Sequence, residues 1–226
     1  MSICFLLVFK KKRGKMRNVM RRAVMVVLVA AVWLSSGFVA SAAEDEDPKF
    51  KENVHYRVLD RPYHKNEVLE VYSVYCRLCY IYDDVFARIA AELPKGVTFK
   101  EVHITGDGRF LYAPAKILYL AGKKDYKRMK RILFDLLNKD EISSYSAFLN
   151  AVLPQIPMSL DDFHAKEKDD AVIAAVEKEE KEGRALARQF GIPVLVVNNK
   201  YALLMRKLKN VGEIKELIDY LLKFDS

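Results

Sequence analysis

An α/β domain interrupted by a long helical stretch is the architecture this sequence predicts, on three observations. Segments rich in β-branched and aromatic residues stand at both ends of the region from Val54 onward. Between about residues 112 and 190 the periodicity is helical almost throughout, with no convincing strand. A Cys-Arg-Leu-Cys sequence, Cys76 to Cys79, falls where a strand pattern gives way to a helix pattern.

Taken in order, residues 54–59 alternate as a short strand, and Arg61-Pro62-Tyr63-His64-Lys65-Asn66 is a turn-rich connection. Val68-Leu69-Glu70-Val71-Tyr72-Ser73-Val74 has the composition of a buried strand. Beyond Cys76, Tyr80, Val85, Phe86, Ile89, Ala90 and Leu93 recur at helical spacing, and Pro94 stops the helix. Residues 97–104 form a third strand, broken by Thr105-Gly106-Asp107-Gly108. Met129, Ile132, Leu133, Leu136 and Leu137 then share one helix face, while Tyr145, Phe148, Leu149 and Val152 give a second helix ended by Pro154. Ser159 with Asp162 resembles a capping box, and Val172, Ala175 and Val176 open a long charged helix reaching Phe190. Strand character returns at Val194-Leu195-Val196-Val197, turns at Asn198-Asn199 and resumes over residues 201–205. Ile214, Leu217, Ile218, Leu221 and Leu222 line a final helix.

The charge balance is uneven along the chain. Of 38 Lys+Arg and 30 Asp+Glu in 226 residues, eight basic and no acidic residues fall within 1–42, so the remainder is balanced at 30 against 30. The formal +8 belongs to the N-terminus, which largely removes a nucleic-acid reading of the basic total. From Met16 the sequence is basic, then Ala23 to Leu34 is apolar without a break, and Ala40-Ser41-Ala42 follows as a small-x-small site. That is the pattern of a secretory signal peptide over residues 1–42, cleaved near Ala42/Ala43, with the true start at Met16 or Met20. Twelve apolar residues reach roughly 18 Å as a helix, short of a ~30 Å hydrocarbon core, although Phe38 and Val39 leave an uncleaved anchor as the rival. Export is the expectation, with residues 43–53 a mobile beginning of the mature chain.

Only Cys76 and Cys79 remain after residue 42, and export would place them where paired thiols oxidise. A bridge across so short a loop constrains the unfolded chain little, so a purely structural disulfide is a weak explanation of the pair. A zinc site needs four ligands in its closed form, and His55, His64, His103 and His164 are scattered without paired spacing. No metal or other cofactor is expected beyond the cysteine pair itself.

The order strand, strand, helix, strand, helical stretch, hairpin, helix, with Cys-x-x-Cys at a strand-to-helix junction, resembles a thioredoxin fold with an inserted all-helical domain. Val68 through Tyr80, and later Phe190-Gly191-Ile192-Pro193-Val194-Leu195-Val196-Val197-Asn198-Asn199-Lys200-Tyr201, resemble the DsbA family of periplasmic thiol:disulfide oxidoreductases. The resemblance implies a thioredoxin-like domain of residues 43–111 and 191–226 and a helical insertion domain of residues 112–190. It implies a periplasmic monomer that introduces disulfides into exported proteins with free cysteines and is reoxidised by a DsbB-type membrane partner. Ile192 and Pro193 match the family's cis-proline loop and, with Arg77 and Leu78, would meet substrate. Glu70 matches a buried acid that helps move the proton of the resolving cysteine. Two positions depart from the best-known members: Arg77-Leu78 replaces Pro-His, and Glu101 stands where those members carry a lysine paired with the acid.

The chemistry also follows from position. At a helix N-terminus the first N–H groups and the macrodipole favour an anion, so the Cys76 thiolate is the better leaving group. Cys79, one turn on, faces the same side and can close the bridge. A stabilised thiolate makes the disulfide more oxidising, and Arg77 would add nearby positive charge. Two alternatives share these residues: a reductase or isomerase of the same fold, and a redox-inert peptide-binding or chaperone-like module.

Overall fold

The structure, a computed structural model, describes residues 48–105, 110, 112–139, 142 and 144–224. The signal-peptide reading of residues 1–42 and the break at 106–108 lie outside the described residues. Five strands, β1 (Tyr56–Val58), β2 (Glu67–Tyr72), β3 (Thr98–His103), β4 (Val194–Val197) and β5 (Tyr201–Leu203), form one sheet in the order β1-β5-β4-β2-β3. β2 and β3 are parallel and the other pairs antiparallel. Parallel neighbours need a crossover, and α1 (Arg77–Ala91) supplies it.

Period-two alternation divides the strands between two cores. Val68, Leu195, Val197, Tyr201 and Leu203 turn to one face, where Phe86 and Ile89 of α1 and Ile214, Leu217, Ile218 and Leu221 of α6 (Val211–Leu221) cover them. Leu69, Val71, Val102, Ile104, Val194 and Val196 turn to the other, where Leu186 of α5 (Asp170–Phe190) packs. The predicted helical interruption stands between β3 and β4 as α2 (Ala113–Asn138), α3 (Tyr145–Val152), α4 (Leu160–Lys166) and α5. Ser144, Ser159 and Asp169 cap α3, α4 and α5 by accepting backbone N–H bonds, so the Ser159 signal is a real helix start. Gly122 interrupts α2 at φ 66°, a conformation only glycine takes without strain. The second strand of the hairpin is shorter than expected, because Met205–Lys207 is a 3-10 turn.

One expectation fails at the beginning. Of residues 43–53, expected to be mobile, 43–47 lie outside the described residues, but Phe50 is buried, its ring 5.5 Å from the centroids of both His55 and Tyr220. A single aromatic in a charged stretch is enough to tie the chain to α6, and periodicity cannot show that.

The turn Asn198-Asn199 holds the sheet to its surroundings. Both residues have positive φ (52° and 55°), the type I′ geometry that asparagine tolerates. Buried Asn198 accepts from the N–H groups of Asn66 (2.9 Å) and Glu67 (3.4 Å) and donates to Tyr63 Oη (3.2 Å) and the Leu221 carbonyl (3.3 Å). Asn198→Gly keeps the turn but leaves those partners unpaired. Since a buried unsatisfied group costs about 1–3 kcal/mol, a loss of roughly 2–3 kcal/mol is expected in urea unfolding followed by circular dichroism. A change below about 0.5 kcal/mol would show that water replaces the side chain without penalty.

Candidate active site

β2 carries the chain to the foot of α1, and Cys76 is the N-cap of that helix, with φ −89° and ψ 111°. Its Sγ accepts the Cys79 N–H at 3.1 Å and lies 3.8 Å from the Ile192 carbonyl oxygen. Interaction with the Cys79 thiol, and then the backbone N–H groups of Cys79 and Leu78, lower the Cys76 pKa to about 7 against an opposing push from burial. Near neutral pH much of Cys76 is therefore thiolate. Both cysteines are free thiols here; Cys76 is half-buried and Cys79 fully buried. Burial, the bond to Cys76, the Cys76 charge and the Glu70 charge all drive the Cys79 pKa far upward. The two thiols thus divide into an accessible nucleophile and a buried, protonated partner.

Glu70 sits mid-strand in β2 with no exposed surface, on the sheet face that α1 covers. Burial raises its pKa to about 7; Lys130 opposes that push, while Glu101 and Asp83 add to it. The β3 position that resembles the lysine of the best-known family members is acidic, and a helix supplies the cation instead. Lys130 of α2 reaches Glu70 Oε2 at 3.1 Å, Asp83 at 3.0 Å and Glu101 at 2.5 Å. Burial works against the Lys130 charge, but the three carboxylates outweigh it and hold the ammonium charged. Its Nζ also lies 4.1 Å from the centre of the Tyr72 ring.

Lys130 is not among the residues that the sequence motifs single out. A signal was present: Tyr126, Lys130, Phe134 and Asn138 recur every four residues. Tyr126 Oη meets Tyr72 Oη at 2.8 Å, Phe134 packs on Tyr72 and Tyr80, and Asn138 Nδ2 donates to the Val74 carbonyl at 2.8 Å. One stripe of α2 thus follows β2 from Glu70 to Val74.

The other predicted residues converge on Cys76. The Ile192–Pro193 peptide is cis, and the Ile192 carbonyl faces the Cys76 sulfur. Ile192, Pro193, Leu78, Tyr82 and Phe190 line a cavity of about 410 Å³ beside the thiols. Leu78 is more than half exposed. Arg77 is exposed too, and its guanidinium lies 5.8 Å from the centre of the Tyr80 ring. The Cys79 thiol and the N–H groups at the helix N-terminus stabilise the Cys76 thiolate.

A capped, low-pKa thiolate, a buried second thiol one turn away and a backbone carbonyl beside them define a thiol:disulfide oxidoreductase on a thioredoxin fold with a helical insertion. No protein-family model matches the chain. It is 28% identical over 215 residues to the thiol:disulfide interchange protein DsbL of Escherichia coli O6:H1, covering 85% of this chain and 92% of that protein. It is 28% identical over 182 residues to the thiol:disulfide interchange protein DsbA of Salmonella typhi, covering 75% and 84%. The crystal structure of DsbL from Salmonella enterica serovar Typhimurium is 25% identical with a TM-score of 0.65, over 79% of this chain and 100% of that one. Reduced DsbL superposes with a TM-score of 0.67 at 23% identity, over 77% and 100%. The chain is thus similar over most of its length to the DsbL and DsbA thiol:disulfide interchange proteins and shares their fold.

Proposed function

We propose that the protein is a disulfide oxidase that transfers its Cys76–Cys79 disulfide to exported proteins in the periplasm. The observation that carries this reading is the Cys76 sulfur, held at a helix N-terminus by the Cys79 N–H at 3.1 Å and lowered to a pKa of about 7. Whatever stabilises that thiolate stabilises the reduced protein and makes the disulfide a better electron acceptor.

A substrate thiolate attacks Cys76 Sγ, the Cys76–Cys79 bond breaks, and the Cys79 thiolate takes a proton. A second substrate thiolate then attacks the substrate sulfur of the mixed disulfide, and Cys76 leaves as thiolate. Glu70 serves the Cys79 proton, while Ile192, Pro193, Arg77 and Leu78 receive the substrate chain beside Cys76. No cofactor beyond the cysteine pair takes part. Reoxidation falls to a DsbB-type membrane partner. Residues 1–42 export the chain and are removed, residues 43–111 and 191–226 form the thioredoxin-like domain, and residues 112–190 the insertion of a monomer. Among the described residues no helix is long and apolar enough to cross a membrane.

Equilibration with glutathione buffers, read by thiol alkylation and mass, tests the direction; Trp33 is the only tryptophan, so tryptophan fluorescence of a chain lacking residues 1–42 offers no signal. The expected potential lies nearer to about −120 mV, that of a strong disulfide donor such as DsbA, than to about −270 mV, that of thioredoxin. A value at the lower end would make it a reductase, and a pair that never equilibrates would leave a binding module.

A further inference from the structure

The sheet ends at β1 with one side uncovered. Arg57 of β1 lies opposite Ala202 of β5, and the ladder continues with the Leu59 N–H donating to the Lys200 carbonyl and the Leu204 N–H to the His55 carbonyl. Backbone groups alternate in direction along an antiparallel pair, so those of Tyr56 and Val58 point away from β5. The Tyr56 carbonyl accepts the Asn53 N–H at 2.7 Å, but among the described residues nothing pairs with the Val58 N–H or carbonyl.

Side chains alternate as well. Leu59 joins the core beneath α5, and Arg57 and Arg61 turn to the same side. The Arg57 guanidinium lies 5.9 Å from the centre of the Phe190 ring, and Arg61 Nη2 lies 3.4 Å from Glu182 Oε1. Glu182 to Phe190 is about 12 Å along a helix, and Arg57 to Arg61 is about 13 Å along an extended chain. The two elements therefore run antiparallel, side by side, for that length. Between them opens a cavity of about 680 Å³, lined by buried Leu59 and Leu186 and by exposed Lys178 and Lys181. It meets the cavity beside Cys76: Gln189 lines both, and Arg57 and Val58, neighbours on β1, line one each.

Together the two cavities are lined by six cations, Arg57, Arg61, Lys178, Lys181, Arg206 and Lys207, against two carboxylates, Asp60 and Glu182. Glu182 is already held by Arg61 and, at 3.5 Å, by Lys100. Since the chain after residue 42 carries 30 basic and 30 acidic residues, this excess is local. Lysines beside an open edge also keep copies of a protein from pairing, and a second copy would bring the same positive charge to this one. Repulsion thus disfavours a like-charged occupant, and complementarity favours an acidic one.

We propose that the edge of β1 and the groove between β1 and α5 receive an extended acidic segment of the protein being oxidised, added as a sixth strand through Val58 with its carboxylates against Arg57, Arg61, Lys178 and Lys181. The inference rests on the oxidoreductase reading and names the substrate class which that reading leaves open. A polypeptide whose cysteine lies at Cys76 continues past Gln189 into the groove, where about four extended residues fit. Hydrogen bonds to a strand edge involve only main chain and so accept many sequences, while the cations select among them.

Reduced peptides with two cysteines test this. One has no tail; the others carry, on either side, a Gly-Ser spacer and then Glu-Val-Glu-Val, Ser-Val-Ser-Val or Lys-Val-Lys-Val. Their oxidation by the disulfide form of the protein is followed by acid quench and mass at about 20 mM and about 500 mM salt, which screen charges very differently. At low salt the acidic tail is expected to raise the second-order rate constant about tenfold over the serine tail, and the lysine tail to lower it about threefold. At high salt both differences should shrink below about twofold. Lys178→Glu combined with Lys181→Glu, at two exposed positions, should abolish or invert the order of acidic and lysine tails. An acidic tail with methylated backbone nitrogens keeps its charge but cannot pair with the edge, and should lose at least about threefold of the advantage. Equal rates for acidic and serine tails at low salt, or an acidic preference that survives the double charge reversal, overturns the proposal and leaves the lysines as guards of the edge. A methylated tail that keeps the full advantage overturns the added strand. If the peptide without a tail is not oxidised either, the oxidoreductase reading falls, and the proposal with it.

Discussion

Replacing Cys79 with serine should turn the protein into a trap: it still attacks a disulfide through Cys76, forms the mixed disulfide and cannot release it. Replacing Cys76 should abolish the reaction at its first step. The asymmetry follows from the two environments. With a pKa of about 7, Cys76 is about half thiolate at neutral pH, whereas an ordinary thiol near 8.5 is ionised to only a few per cent. Cys79 is buried and held as the thiol. Disulfide transfer should fall at least ~1000-fold in either single variant, and the double variant should be no worse, because the two sulfurs act as one unit. Incubation with a reduced, cysteine-containing peptide and oxidised glutathione, followed by mass measurement, distinguishes them: Cys79→Ser accumulates a single adduct and Cys76→Ser none. Adducts on Cys76→Ser would mean that Cys79 reaches solvent, and the assignment of nucleophile and resolving thiol would be reversed.

The same asymmetry predicts the alkylation order in the wild type. Iodoacetamide at pH 7 should modify Cys76 first, with Cys79 reacting only on unfolding. Its pH dependence should show an inflection near 7, with reactivity lost as pH falls through that value, because the thiolate is the reacting species.

Much of this site is legible in the sequence, and the illegible parts share a physical reason. Cys76 and Cys79 are readable because their chemistry depends on local position, a helix N-terminus and one helical turn. The strands and helices are readable because their apolar residues keep period. Pro193 is different: 116 residues separate Ile192 from Cys76, and only the family resemblance joined them before the fold did. Lys130 is harder still. Lysines on a helix mostly face water, and the property that sets this one apart, three carboxylates from three other elements within about 3 Å, belongs to the packing and not to α2. Arg77, adjacent to Cys76 in sequence, has its guanidinium 5.8 Å from the centre of the Tyr80 ring, a contact that sequence adjacency does not reveal. The long α5 was read with the insertion, and its later residues also pack on the sheet through Leu186.

Gly183, also on α5, carries no sequence signal, yet replacing it should have the largest effect on stability. A Cβ there would stand 2.5 Å from Ile104 Cγ2, 2.9 Å from Val102 Cγ1 and 3.2 Å from Val71 Cγ1. Val71 and Val102 belong to β2 and β3, and Ile104 directly follows β3, so the missing side chain is what lets α5 approach these strands. On an exposed helix, Gly→Ala would gain about 1 kcal/mol from propensity alone. Here overpacking costs about 1–3 kcal/mol for one added methyl and more for a larger group, so the sign reverses. Gly183→Ala should be destabilised by about 1–2 kcal/mol, and Gly183→Leu should exceed the 5–15 kcal/mol margin of a typical domain's lower half and fail to accumulate folded. The cause is separable from backbone effects by a cycle. Ile104→Ala alone is destabilising because it opens a cavity, but it vacates the space nearest the new Cβ. Combined with Gly183→Ala it should therefore be less destabilised than the sum of the singles by about 1 kcal/mol or more. Strict additivity in urea unfolding would place the cost elsewhere in α5. Because Thr105, the residue after Ile104, donates its N–H to Glu180 of the same helix at 2.7 Å, any outward shift of α5 that relieved the clash would also lengthen this bond. Steric relief and loss of the hydrogen bond are thus opposed, and the helix has no easy direction in which to yield.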